Sequence, residues 1–239
     1  MRCGRLTAAL LLAAPGSTDG AMISFASDTA DHAWTYRGIG PTMGSAITPP
    51  DTLLLQIDDN NGPLPLISVT VKFSAEYTLF YSGSVPLGGG AFSHNYLVTG
   101  NFAFTDVASS GTILFAHFDN ALLTARGNEN SWFTTASLQG DNNGGGRVEF
   151  YWQGAALPGY GLVPGVTLLA SMAFDITALN SSGVLPYSGQ SPGRTLDAAH
   201  RPAGNWWGES SFSAFAEVPA PSTAALLGLF GVTAVRRRR

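Results

Sequence analysis

The chain has 239 residues, with 16 acidic against 12 basic side chains, four histidines and a single cysteine. Cys3 stands at the very start, so no disulfide can form within the rest of the chain, and a domain built from it must be held by its core alone. Between residues 22 and 218 there are fifteen acidic and six basic side chains, only one of them lysine; a body at −9 excludes the basic surface that nucleic-acid phosphates require.

In chain order, Arg2 and Arg5 precede a nine-residue apolar stretch, LTAALLLAA over 6–14, and small residues follow through Gly20 and Ala21. That is the layout of a secretory signal peptide over 1–21, with the cut falling near 16–21. The body that follows reads as strands. Residues 67–81 (ISVTVKFSAEYTLFY) alternate, Val69, Val71 and Phe73 to one side and Thr70, Lys72 and Ser74 to the other, the period of a half-buried strand. Glu76 interrupts the apolar series, which leaves two strands or one bulged strand open. Further β-runs cover 22–26, 52–57, 96–105, 112–118, 132–138, 147–152, 168–176 and 211–215. Gly88-Gly89-Gly90 reads as a hairpin tip, 121–126 is too short to stand as a helix, and 177–205 reads as a long loop carrying an edge strand. Nine to eleven strands joined by Gly, Pro, Asn and Asp turns predict an all-β fold over 22–217: a single antiparallel β-sandwich, jelly-roll-like.

Two kinds of candidate site occur in this body. Asp58-Asp59-Asn60-Asn61-Gly62 and Asp141-Asn142-Asn143-Gly144 put hard oxygen donors on tight turns, so Asp58, Asp59 and Asp141 are the candidate calcium ligands, although the same residue types serve any turn between strands. Adjacent aromatics in a strand face opposite sides, so one ring of Tyr151-Trp152 and one of Trp206-Trp207 are expected at the surface; Trp152, Trp206 and Trp207 are the candidate sugar-stacking rings. Catalytic constellations are missing: His32, His94, His117 and His200 follow no zinc spacing, no serine sits in a G-x-S-x-G elbow, and nothing in the sequence brings Glu149 and Glu209 together. The expectation is a non-enzyme.

The final 22 residues, VPAPSTAALLGLFGVTAVRRRR over 218–239, combine a proline-punctuated hinge, an apolar run over 224–235 and four terminal arginines. Thr233 is the run's only polar side chain, so a helix there would have no polar face. Twelve residues make a helix of about 18 Å against a hydrocarbon core of roughly 30 Å, a marginal anchor. Arg236, Arg237, Arg238 and Arg239 would stay on the cytoplasmic side, leaving the body outside. This tail resembles the PEP-CTERM sorting signal of bacterial envelope proteins: Val218, Pro219, Ala220, Pro221 and Ser222 stand as its processing motif, with Ala220 where the family has glutamate, followed by the apolar run and the arginine cluster. The resemblance implies export, a transient hold in the inner membrane, cutting by an exosortase-type enzyme, and transfer to the cell surface or extracellular matrix. The whole chain is then expected to be a non-catalytic envelope or matrix protein. The alternative is a calcium-assisted carbohydrate-binding module for exopolysaccharide.

Overall fold

The computed structural model describes residues 20–26, 34–39, 42–47, 52–59, 62–141, 146–177, 195–202 and 205–217. These form β1 (Met22–Ala26), β2 (Trp34–Ile39), β3 (Thr42–Ile47), β4 (Leu53–Asp58), β5 (Ile67–Gly88), β6 (Ala91–Asp106), β7 (Thr112–Asn128), β8 (Ser131–Gly140), β9 (Arg147–Trp152), β10 (Thr167–Thr177) and β11 (Asn205–Glu217), with one 3₁₀ turn at Pro158–Tyr160. Period-two alternation produces them. In β5, Val71, Phe73, Tyr77 and Leu79 are buried while Ser68, Thr70, Lys72, Ser74 and Glu76 face out. The strand runs unbroken through Glu76, because that residue falls on the outward phase. Its irregularity lies further on, where Tyr81 pairs with Tyr96 but Gly83 pairs with Asn95.

All eleven strands belong to one antiparallel sheet, and that sheet closes on itself. β1 and β2 run end to end along β11, β3 and β4 run end to end along β5, and β8 and β9 run end to end along both β7 and β10. Each of these pairs is one interrupted strand, so the wall has eight strand positions. Every position pairs with its neighbour in sequence, and β11 pairs back to β1. This is the connectivity of an up-and-down barrel, which leaves no free sheet edge. The expected sandwich of two jelly-roll sheets gives way to this single closed sheet, since neither a second sheet nor a crossover between non-neighbouring positions occurs in the pairing among the described residues.

Closure turns one face of the strands inward wherever their burial is described. Phe25, Phe73, Phe102, Phe104, Phe118, Phe150, Phe174 and Phe212 fill the interior, with ring centroids 5.2 Å apart for Phe73–Phe104 and 5.4 Å for Phe102–Phe212. Each such ring removed from water contributes about 1.5–3 kcal/mol. A pocket beside Phe73, Phe118 and Phe174 leaves about 20 Å³, less than one water's share of liquid volume, so side chains fill this part of the interior. On the first half of β5 the outward phase carries Ser68, Thr70, Lys72, Ser74 and Glu76, while further along it Phe80 is exposed and lines up with the exposed Leu97 of β6 and Leu122 of β7.

The interruptions and hairpins give the barrel two distinct ends. One carries the glycine tip between β5 and β6, where Gly88, Gly89 and Gly90 all have positive φ (91°, 61° and 79°), as expected for a hairpin tip. The other carries the loops 59–66, 107–111 and 153–166 together with both ends of the barrel chain, since Met22 pairs with Phe215. Among the described residues no helix is long and apolar enough to cross a membrane. The expected helix over 224–235 and the signal segment 1–19 lie outside the described residues.

Candidate functional site

The aromatic candidates divide by strand phase. Trp206 is 1% exposed and packs edge-on against Trp132 at 5.0 Å, while Trp152 is 3% exposed and donates from its indole N–H to the Ala155 carbonyl at 2.7 Å. Both rings are core, because their phase in β11 and β9 points inward, so neither offers a face to a sugar. Trp207 lies in β11 with its side chain outside the description, and residues 218–222 and 236–239 lie outside the described residues.

The outward partner of Trp152 is Tyr151, and it belongs to a strip on the barrel wall. Register puts Phe115 opposite Tyr151, His117 opposite Glu149, and Asn101 opposite His117 across β6, β7 and β9. The Phe115 and Tyr151 rings are 5.9 Å apart. The Tyr151 hydroxyl donates to Glu149 Oε2 at 2.8 Å, Arg147 pairs with Oε1 of the same carboxylate, and His117 Nδ1 lies 2.8 Å from Asn101 Oδ1. The Tyr151 bond, outweighing partial burial, together with Arg147 holds the Glu149 carboxyl below the usual range, and that same bond raises the Tyr151 phenol. Glu209, the other carboxylate considered for glycosidase chemistry, pairs with Thr177 near the opposite end of β10 and is not part of this strip.

The acidic candidates are separated. Asp58, Met22, Phe215 and Ser171 form one row across β4, β1, β11 and β10, and Asp141 follows Gly140, which pairs with Met172. Asp58 and Asp141 lie four strand positions apart, about 19 Å along the curved wall and on opposite sides of its eight positions, too far to ligate one ion together. Asp59 is buried and committed to its own loop: its Oδ2 accepts the Leu64 N–H at 2.7 Å, and a side chain on Gly62 would collide with that carboxylate. Next to it the Tyr160 hydroxyl donates to the Pro65 carbonyl, and burial followed by the charges of Asp59 and Asp58 raises that phenol. Among the described residues no group of three or more His, Cys, Asp or Glu is placed to hold a metal.

The densest polar cluster is one that sequence spacing gave no reason to assemble. At the glycine-tip end, the register shift after Tyr81 turns Ser84 to the same inward face as His94, with which it pairs. Ser84 Oγ lies 2.7 Å from His94 Nδ1 and 2.6 Å from the Tyr81 hydroxyl, and His94 Nε2 lies 2.7 Å from the Asn128 carbonyl. A carbonyl only accepts, so His94 Nε2 carries a proton; in the neutral ring Nδ1 then accepts from Ser84, and Ser84 accepts from Tyr81. Segment 195–202 folds over this end. The Tyr96 hydroxyl donates to the His200 carbonyl at 2.6 Å and accepts the Trp132 indole N–H at 3.0 Å, and burial raises the Tyr96 phenol.

His200 adopts a left-handed φ of 55°, and its ring stacks on Tyr81 at 4.5 Å. Its Nδ1 is buried without a hydrogen-bond partner among the described residues. Asp197 fastens the segment by accepting from the backbone N–H groups of Ala199 and Arg201 and from Arg201 Nε, at 2.8–2.9 Å. A serine against a histidine nitrogen is the first element of nucleophilic catalysis. Here the nitrogen is fully buried and the far one is bound to a main-chain carbonyl, so the arrangement ties strand β6 to the β7–β8 turn and closes the barrel end.

No protein-family model matches the chain, and neither a curated protein nor a solved structure is significantly similar to it.

Proposed function

We propose that the chain is an exported, non-catalytic protein of the cell envelope or extracellular matrix, in which a closed, ring-filled barrel is delivered by a leader at one terminus and a PEP-CTERM-type sorting signal at the other. The tail itself carries this reading: Pro219-Ala220-Pro221, the apolar run and Arg236 to Arg239 stand in the order of that signal. Two features of the barrel support it. The last rung, Leu169 to Glu217, ends one residue before Val218-Pro219, so cutting in the Pro-Ala-Pro stretch removes nothing from the wall. A core of packed rings, with about 20 Å³ of space in the pocket beside Phe73 and Phe118, suits a rigid displayed body better than a container.

The test is expression of the full chain in a host with and without an exosortase-type enzyme. The reading expects the body in the membrane fraction without the enzyme and in the medium or at the surface with it. Equal distribution in both hosts refutes processing, and replacing Arg236 to Arg239 by Ser should abolish the membrane stage.

A second reading, exopolysaccharide binding, is supported by the outward Phe115–Tyr151 pair flanked by Glu149, His117 and Asn101. Rings at a wall surface with polar groups beside them are suited to a sugar face. Retention of the parent on a polysaccharide matrix together with loss for Tyr151→Ala would support it; equal retention removes the strip. Calcium belongs to this reading only as a ligand of one loop at a time. A melting temperature unmoved between calcium and chelator removes it.

A further inference from the structure

We propose that the tail-bearing end of the barrel is a seat for a lipid bilayer surface, on which the exposed side chains of Leu66, Val107, Val163 and Val166 rest while the tail holds the body at the membrane. This rests on the export reading above and adds an orientation to it: the barrel stands upright, with the glycine tip pointing away from the lipid.

Both ends of the barrel chain leave the wall at this end. The Ala21 carbonyl accepts the Ala216 N–H at 2.9 Å, and Glu217 makes the last rung with Leu169. Residues 218–223 span at most about 20 Å, so a bilayer that takes up the apolar run 224–235 lies within that distance of the loops 59–66, 107–111 and 153–166.

Those loops present an aliphatic, uncharged surface. Leu66 is 53% exposed, and Val107, Val163 and Val166 are 37–42% exposed. The two valines of the third loop are fixed in place rather than frayed. Val163-Pro164-Gly165-Val166 closes as a β-turn, with Gly165 at a φ of 81° and the Val166 N–H on the Val163 carbonyl at 3.2 Å, while the preceding Leu162 is fully buried. Asp59 is buried and bound to the Leu64 N–H, and beyond it the three loops contain no acidic, basic or histidine side chain. Asp58, Asp106 and Glu217 stand behind them, at the ends of β4, β6 and β11.

Exposed apolar surface of this kind marks a membrane or a protein contact, and the composition favours the membrane. Each charge carried into lipid is costly, and these loops carry none to the surface. A protein partner would find little to grip, because interface anchors are chiefly Trp, Tyr and Arg; the only ring in the three loops, Tyr160, is buried with its hydroxyl on the Pro65 carbonyl. The opposite end also exposes Val85 and Leu87, but Arg126, Glu129, Asp197 and Arg201 share it. A few aliphatic side chains seat a body weakly when it is free. The tail makes the contact intramolecular, at an effective concentration on the order of millimolar for a short linker, so cutting at Pro219-Ala220-Pro221 releases both holds together.

The experiment uses the full chain with Cys3→Ser, made in an export-competent host that lacks an exosortase-type enzyme and reconstituted in phosphatidylcholine vesicles. One fluorescent label at a time is placed on Val107→Cys, Val163→Cys or Leu87→Cys, with and without a quencher carried by the lipid. The labels at 107 and 163 should lose emission to the lipid-borne quencher, and the label at 87 should not. Val163→Asp with Val166→Asp should remove the loss at 107 while leaving the melting temperature close to that of the parent. Equal responses at all three positions, or a loss at 107 that survives the double Asp variant, overturn the seat and leave the tail anchor standing. A label at 163 that is shielded from aqueous iodide yet untouched by the lipid quencher means that a second copy covers this end, which also overturns it. A chain that does not stay with the vesicles overturns both the seat and the membrane-held stage on which it rests.

Discussion

Barrel closure makes a sharp prediction at the seam between first and last strands. Ser24 on β1 and Ser213 on β11 are direct cross-strand partners, both outward-facing, and no cysteine exists beyond Cys3. Directly opposed residues in an antiparallel pair have Cα atoms about 4.5–5.5 Å apart, within the range a disulfide spans. The double variant Ser24→Cys, Ser213→Cys, made with Cys3→Ser, should therefore oxidise to a single intramolecular bond. The closed loop contains about 190 residues, for which loop-closure entropy gives an upper limit of about 5 kcal/mol at 25 °C. At 2–4 °C per kcal/mol for a domain of this size, the oxidised form should melt up to about 10–20 °C above its reduced form. The assay is intact mass and thiol titration of the folded protein, then thermal unfolding with and without reductant. Two free thiols persisting under oxidising conditions would mean that β1 and β11 are not adjacent, and the sheet would then be open.

Four further outcomes follow from the same geometry. Phe212→Ala removes a ring surrounded by Phe25, Phe102 and Phe104 at 5.4–5.7 Å and should cost about 3–5 kcal/mol in urea unfolding, whereas Phe80→Ala, 56% exposed, should stay within about 0.5 kcal/mol; equal costs would contradict the inward assignment. His94→Leu removes the side-chain partner of the Asn128 carbonyl, while Ser84 keeps its bond to the Tyr81 hydroxyl, and should cost about 1–3 kcal/mol, read by chemical denaturation. Trp206→Ala should destabilise by about 3–5 kcal/mol without changing retention on polysaccharide, and a selective loss of retention would put that ring at a surface.

Burial alone would raise the Asp197 carboxyl, but hydrogen bonds from Arg201 and Ala199 and the Arg201 charge outweigh it and hold it below its ordinary value. The stability this contributes is complete above about pH 4 and is lost as pH falls through the depressed folded value. Asp197→Asn should lack that acid loss, measured as amide-exchange protection of 195–202 against pH; parallel profiles would count against the assignment.

Periodicity made the strand content legible, and β1 and β9 run over the residues that alternation marks, because each is bounded by non-alternating chain. β2 and β3 escaped notice. Thr42-Met43-Gly44-Ser45-Ala46 has little strand preference of its own and is held by pairing with both β2 and β5. Counting nine to eleven short strands suggested two stacked sheets; the true number of wall positions is eight, since β1/β2, β3/β4 and β8/β9 are halves of interrupted strands, and nothing local in a sequence says that two runs lie end to end. Of the two strands or one bulged strand that Glu76 leaves open, the single strand forms, because Glu76 falls on the outward phase; the register shift comes at Ser82-Gly83, where no apolar series marks it. That shift is also why the Tyr81–Ser84–His94 cluster was illegible: it depends on a two-versus-one register step and on His200, 106 positions from His94 in the chain.

The adjacency of Ala21 and Ala216 has a consequence for the identity of the fold itself. In a ring where every strand pairs with its sequence neighbours, the break between first and last is an accident of where synthesis starts. A short Gly/Ser bridge between the two ends, with new ends cut at the Gly88-Gly89-Gly90 tip, should give a circular permutant with the same wall and the same ring-filled interior. Segments 1–19 and 218–239, attached at those new ends, would then start from the opposite end of the barrel, which separates how the body folds from where the proposed leader and sorting tail stand.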